Sequence, residues 1–470
     1  MSKTKTWKRI LSLCLSLVMV LILTACGGGS SEEEDDGSTK LNATTDDTVV
    51  DMGGYEFTIA SHFLVDNPDP SEITVAEAIF EEVRHQVEED YNCKITILPI
   101  QNTVESVRTK ILAGDKIADV IDVTGIYVVP MARAGYIIPL ESVEGLNLSD
   151  SRWVQGYTEF SEFNGQHYGV NFMRPAEARM CLVYNRELLK NYGITEDPQD
   201  LVTSNTWTYD KFREMCKTVT RDTNGDGQND TIGLFAGLRE EFGTSMIAAN
   251  GGSLVTSADG VAKESFNDAK VLTAMNCVYD MINADKTVVW SSGNSENVTD
   301  TEAISRFVSG RYGFYLCETW TINQLLKPVA GDLDYGILPL PMGPDATDYV
   351  SPSENAREFC ITSTNKDVDK TVTILNALAR YTEEYGEDEN WWHYDVEMDY
   401  FQEGDQKSVD IYTMLIDKAT YDLGVGVTDL WKNFQEQVVW DACFLNKGTP
   451  ASRIEAITGK YQSAIDAIYN

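Results

Sequence analysis

Apolar positions change period repeatedly through the first third of the chain. Tyr55–Ser61 alternates as a strand, and the next segment sets Ala76, Ile79, Phe80, Val83 and Val87 on one helical face. Lys94–Ile100 alternates again, Val104, Val107 and Ile111 mark a helix ended by Gly114, and Ile117–Val123 is an apolar strand. Strand–helix repetition at this spacing predicts a mostly parallel sheet covered on both faces. Ligands of such sheets lie beyond the carboxyl ends of the strands, which points to His62 within Ser61-His62-Phe63 and to Thr124 beside Gly125.

Residues 167–187 are the centre of the pattern. Two apolar runs, Tyr168–Phe172 and Met180–Tyr184, read as strands around Met173-Arg174-Pro175, and Arg186–Tyr192 reads as a helix stopped by Gly193. That arrangement suits a crossing between two domains. Beyond it, Phe212, Met215, Cys216 and Val219 share a helix face. Gly310–Trp320 is a strand ending in Glu318-Thr319-Trp320, preceded by a helix over Thr301–Val308. Tyr335–Pro341 and Ser351–Thr362 suit a second crossing. Val368, Val372, Leu375 and Leu378 form another helix face, and helices reach to Tyr469.

The amino terminus has a different character. Lys3, Lys5, Lys8 and Arg9 precede an apolar run from Ile10 to Leu23, then Leu23-Thr24-Ala25-Cys26. This is the make-up of an export signal, and the run is shorter than the ~20 residues of a membrane span. Its ending resembles the bacterial lipobox, which implies residues 1–25 as a signal peptide and a diacylglycerol and fatty-acyl (palmitate) anchor on Cys26. Residues 26–52, rich in Gly, Ser and acid, read as a flexible tether. The 470 residues are enough for two α/β domains. A formal net charge of −37 argues against nucleic acid or an anionic membrane surface as partner. Removing residues 1–25 takes away four positive and no negative charges and would bring it to −41. Nine scattered cysteines without a CxxC pair predict buried free thiols.

The series Ala134-Gly135-Tyr136-Ile137-Ile138-Pro139-Leu140, Asn164-Gly165-Gln166-His167-Tyr168-Gly169-Val170, Tyr184-Asn185-Arg186-Glu187-Leu188-Leu189, Tyr192-Gly193-Ile194 and Thr206-Trp207-Thr208-Tyr209-Asp210, in this order, resembles the extracellular solute-binding proteins of ABC importers that capture sugars and oligosaccharides. The resemblance implies a two-lobed periplasmic-binding-protein-like α/β fold joined by crossing hinge strands. One lobe would be residues 53–174 plus 357–390, the other 175–356 plus 391–470. It further implies a monomer at the extracellular face of the cell membrane, touching it through the lipid alone. ABC permease subunits would be its partners, and activity would need no cofactor.

Sugar capture needs flat aromatic faces for ring C–H groups and polar side chains for hydroxyls. Position near the lobe edges selects His62, Thr124, Asn171, Phe172, Arg174, Glu318, Trp320, Glu354, Trp391 and Trp392 as ligand-binding candidates. Asp222, Asn224, Asp226, Gln228 and Asp230 match the first part of a calcium loop, with Gly227 at the turn, although Gly233 stands where the bidentate acid belongs. A structural Ca2+ and a plain Asp/Asn/Gly turn are the two readings. No zinc-type histidine spacing, Gly-x-Ser-x-Gly elbow or phosphate loop occurs. The rival function is a secreted glycoside hydrolase or lyase using a carboxylate pair, for which 74 acidic residues supply many candidates.

Overall fold

Among the described residues, nine strands make the two main sheets. They are β1 (Tyr55–Ser61), β2 (Cys93–Pro99), β3 (Val120–Thr124), β4 (Met180–Asn185), β5 (Ile232–Ala236), β6 (Val288–Trp290), β7 (Tyr312–Glu318), β8 (Tyr335–Leu338) and β9 (Arg357–Ile361). The computed structural model describes residues 47–69, 73–101, 104–113, 116–174, 180–258, 261–291, 295–296, 298–353, 356–385 and 392–469. The expectations for residues 1–46, Cys26 among them, and for Glu354 and Trp391 lie outside the described residues.

The first sheet has the order β9-β3-β1-β2 and the second β6-β5-β7-β4-β8. Strands β1, β2 and β3 run parallel, as do β5, β6 and β7. The exceptions are β9 against β3 and β4 against both its neighbours, which are antiparallel. Each exception is a strand reached by a crossing from the other lobe. Such a strand enters from the carboxyl edge of its neighbours, so it must run opposite to them. The fold is therefore the expected two-lobed periplasmic-binding-protein-like α/β architecture, with mostly parallel sheets.

Local chemistry sets the element ends. Thr74 and Glu77 form a capping box at the helix Val75–Tyr91, with the Thr74 hydroxyl accepting from the Glu77 amide and the Glu77 carboxylate accepting from Thr74 N at 2.8 Å. The chain leaves that helix through Asn92 at φ 46°. The helix carries Ile79, Phe80, Val83 and Val87 into the first lobe's core, where Phe57, Ile59, Phe172, Phe359 and Leu375 meet them. Around the second sheet, Trp207, Phe212, Leu234, Phe235, Phe314 and Leu316 form the other core, and the Trp207 indole donates to the Pro339 carbonyl at 3.1 Å. The helix Val368–Glu383 returns to the first lobe's core.

Three expectations are corrected. Tyr168–Phe172 is not a strand, since only Val170 pairs, in a single bridge with Phe359. Asn171 breaks the ladder: its carboxamide oxygen accepts from Met173 N at 2.8 Å, a side-chain turn that competes with strand pairing. Strand β3 begins at Val120 because Asp119 turns inward to bind Thr58 Oγ1 and the Tyr55 hydroxyl. Val154, Tyr157 and Phe160 precede the first crossing yet pack into the second lobe's core. Cys93, Cys181, Cys216, Cys277, Cys317, Cys360 and Cys443 are all free thiols, as scattered spacing predicts, but Cys93 and Cys277 are half-buried rather than buried. Among the described residues no helix is long and apolar enough to cross a membrane.

Candidate functional site

The crossings identify the face of each sheet edge. Met180, where the first crossing enters β4, stands in register with Glu318 at the end of β7. Arg357, where the second crossing enters β9, stands in register with Thr124 at the end of β3. The carboxyl edges of both sheets therefore lie at the junction of the lobes, which is where ligands of parallel sheets bind.

On the first lobe, Asp122 organises the edge. Its carboxylate is wholly buried and accepts from Ser61 Oγ at 2.6 Å, and it pairs with the Arg357 guanidinium. Ser61 Oγ in turn accepts from the amides of Phe63 at 3.0 Å and Leu64 at 2.7 Å, which fixes the turn after β1. The Arg357 guanidinium lies over the Phe63 ring, 4.7 Å from its centroid. His62 is exposed beside Phe63, with ring centroids 5.3 Å apart. Thr124 is buried and ends β3.

On the second lobe, Trp320 and Glu318 sit at the end of β7, and the indole donates to Glu318 Oε2 at 2.6 Å. The helix Arg239–Ala249 starts just beyond β5, and Arg239 pairs with Glu240 at 2.8 Å while its guanidinium lies 4.8 Å from the Trp440 ring centroid. Trp440 stacks on Phe444, and Phe444 meets Trp290 edge-on. Trp440 and Phe444 are placed by a ten-residue π-helix, Gln435–Phe444. Burial raises the Glu241 carboxyl, helped by the charges of Glu240 and Glu318. Indoles, carboxylates and a guanidinium thus stand past the carboxyl ends of β5 and β7.

Cavities also open where the lobes meet. One of about 410 Å³ is lined by Glu162, Phe163 and Asn164, which precede the first crossing, and by Phe160, Thr420, Tyr421 and Tyr469 on the side of the second lobe's core. Another, of about 420 Å³, brings together Arg174, Phe172 and Trp392 with Glu383 and Asp417. Burial lowers the Arg174 guanidinium to about 10 against the opposing pull of Glu383 and Asp417.

The candidates thus divide. His62 and Thr124 lie at one sheet edge, Glu318 and Trp320 at the other, and Phe172, Arg174 and Trp392 line the second cavity. Two of them are corrected in role. Asn171 is 3% exposed and donates to the Arg357 carbonyl at 2.8 Å, tying one crossing to the other. Phe172 is 1% exposed, with its ring 4.7 Å from Phe359 and further contacts to Trp153 and Phe80. A run ending at a lobe boundary looks the same in sequence whether its last aromatic turns inward or outward. Phe172→Leu is expected to lower stability by about 1–2 kcal/mol while leaving ligand affinity unchanged, read by denaturant melts beside titration calorimetry.

Sequence reasoning passed over Asp122, Arg357, Arg239, Trp440 and Tyr421. Arg239 was within reach of the strand-end rule that picked out His62, because it lies just past β5. Trp440 carried no such signal, since a π-helix places it.

The loop Asp222–Asp230 lies before β5, at the sheet edge opposite the junction. Asp222 accepts from the amides of Gly225 at 2.6 Å and Gly227 at 2.8 Å, and Asp230 accepts from Thr223 Oγ1 at 2.6 Å and Asn224 Nδ2 at 3.0 Å. Gly225 and Gly227 have φ of +81° and +84°, as the sharp turn demands. Among the described residues no three His, Cys, Asp or Glu side chains converge as a metal set. A calcium ion here would also draw on Asn224, Gln228 and backbone oxygens.

Solved structures share this fold at low sequence identity. The GacH receptor of Streptomyces glaucescens, solved unliganded and with acarbose, is 17% identical over 89% of this chain and 100% of its own, with a TM-score of 0.59. A cyclo/maltodextrin-binding protein complexed with maltotetraose is 13% identical over 88% of this chain and 98% of its own, at a TM-score of 0.63. UgpB from Mycobacterium tuberculosis, complexed with glycerophosphocholine, is 14% identical over 88% and 98%, at a TM-score of 0.59. No curated protein sequence matches the chain. A bacterial extracellular solute-binding protein profile matches residues 69–380, well over half of the chain. The chain therefore belongs to the bacterial extracellular solute-binding proteins, which bind substrates rather than transform them.

Proposed function

We propose that this protein captures an oligosaccharide between its lobes and delivers it to the permease of an ABC importer. The observation that carries this reading is the pairing of indole faces with carboxylates and a guanidinium at Glu318, Trp320, Arg239, Glu241 and Trp440, beside the acarbose and maltotetraose ligands of structural neighbours. The mechanism is a population shift. A ligand that touches both lobes does so only when they are closed, so its binding energy favours the closed form. Transport energy would come from an ATPase elsewhere in the importer. Lipid on Cys26 would hold a monomeric body at the outer face of the membrane, with the acidic tether as spacer.

A thermal-shift screen of the purified protein against mono- and oligosaccharides tests this. Binding to the folded state alone raises the melting temperature by mass action. A saturable shift with one glycan class and no released product supports capture, whereas product release would restore the hydrolase. A shift with glycerophosphodiesters and none with glycans would replace the ligand class. Trp320→Ala is expected to weaken affinity for the shifting glycan about 10–100-fold, and an unchanged affinity would remove Trp320 from the site.

For the Asp222–Asp230 loop the proposal is a structural Ca2+. Chelator should lower the melting temperature and Asp226→Ala should abolish that response. Glycan affinity should stay the same, because the loop is at the far edge of the sheet.

A further inference from the structure

A smaller cavity of about 220 Å³ lies within the second lobe. Its walls are the helix Arg239–Ala249 at Thr244 and Ala248, the turn Gly251–Ser253, the second crossing at Val350–Ser353, and Tyr421, Asp422 and Trp431. Among the described residues, two polar atoms on these walls have no partner. Ser353 is 4% exposed and its hydroxyl makes no hydrogen bond, and the Trp431 Nε1–H is buried with no acceptor. An unpaired buried donor costs about 1–3 kcal/mol, and folded proteins leave few. A third polar group is held ready. The Asp422 carboxylate accepts from Leu254 N at 2.5 Å and Gly424 N at 2.7 Å, which leaves its position fixed on the wall.

We propose that this cavity receives one pyranose ring of the bound oligosaccharide, with Ser353 and Trp431 Nε1–H bonding ring hydroxyls. The inference rests on the oligosaccharide reading and goes beyond it by naming a pocket and its donors. Size supports it: the volume equals about seven waters, enough for a single hexopyranose. Chemistry supports it too. No Lys, Arg or His lines the cavity, so an anionic group would enter uncompensated, whereas a neutral polyol finds an indole face, a hydroxyl and a carboxylate acceptor. Access is by way of Tyr421. Thr420 and Tyr421 line both this cavity and the interlobe cavity of about 410 Å³, so they form the common wall between them. Ala248 adds only a methyl group to the wall.

Titration calorimetry of the purified protein with maltotriose, cellotriose and xylotriose tests the assignment. For whichever trisaccharide binds, Ser353→Ala and Trp431→Phe should each weaken affinity about tenfold, the worth of one hydrogen bond. Ala248→Met, which fills the cavity, should weaken it about a hundredfold. A second readout separates this role from a structural one: unliganded Ser353→Ala should melt no lower than the parent, because its hydroxyl has no partner among the described residues. Parent-like affinity in all three variants would mean the cavity holds water alone and would overturn the pocket while leaving oligosaccharide capture standing. Binding of none of the trisaccharides by the unaltered protein would overturn both.

Discussion

Asp122→Ala is expected to lower folding stability by about 3–5 kcal/mol and to abolish tight ligand binding. The carboxylate is wholly buried and holds the Arg357 guanidinium, whose side chain is only 14% exposed. Removing one member of a buried ion pair strands the charge of the other. The same substitution takes the acceptor from Ser61 Oγ, which positions the amides of Phe63 and Leu64. Stability and the shape of the cleft edge thus fail together. Asp122→Asn keeps an acceptor for Ser61 and should lose less. Chemical denaturation of both variants checks this, and a loss under 1 kcal/mol for alanine would show that the pair contributes no net stability.

Glu358→Gln is expected to change the pH dependence of stability. Glu358 lies on β9, fully buried, and among the described residues neither carboxyl oxygen has a partner. It presses on the first crossing, since a Cβ at Gly169 would come within 2.9 Å of its side chain. Burial raises its carboxyl well above the ordinary 4.5, and the nearby Asp122 charge raises it further. A folded-state value above the unfolded one means a contribution that is complete below the unfolded value and is lost as pH rises towards the folded one. The loss is about 1.4 kcal/mol for each pH unit in that window. Glutamine does not titrate. The variant and parent should therefore match near pH 4, and the variant should gain steadily above it. Parallel profiles in pH-dependent melting would show that the carboxyl ionises as readily in the folded protein as in the unfolded one.

Much of the fold was legible because it rests on local repetition. Tyr55–Ser61 begins and ends where the alternation does, and the helix Val75–Tyr91 shows its capping pair in Thr74 and Glu77. The first crossing was legible at its second half, where Met180–Asn185 is a fully buried strand. Its first half was not, because the Asn171 side chain competes for backbone partners, and that depends on Arg357, 186 residues away. Strand ends are readable from periodicity, so His62, Thr124, Glu318 and Trp320 could be placed at the edges from sequence. Which edge residues act was decided elsewhere. Asp122 is a polar residue within a mostly apolar strand, and its meaning comes from Ser61 and Arg357, which only folding brings to it. Trp440 and Trp431 stand on turns of helix far along the chain, and a π-helix sets the angle at which Trp440 meets Arg239.

The sequence by itself determined most of the elements, the two-lobed class and the family, since hydrophobic period and turn chemistry act between near neighbours. The tertiary structure alone decided which side chains share a cavity and which buried polar atoms are left unpaired. Those depend on contacts between segments hundreds of residues apart, which no local pattern encodes.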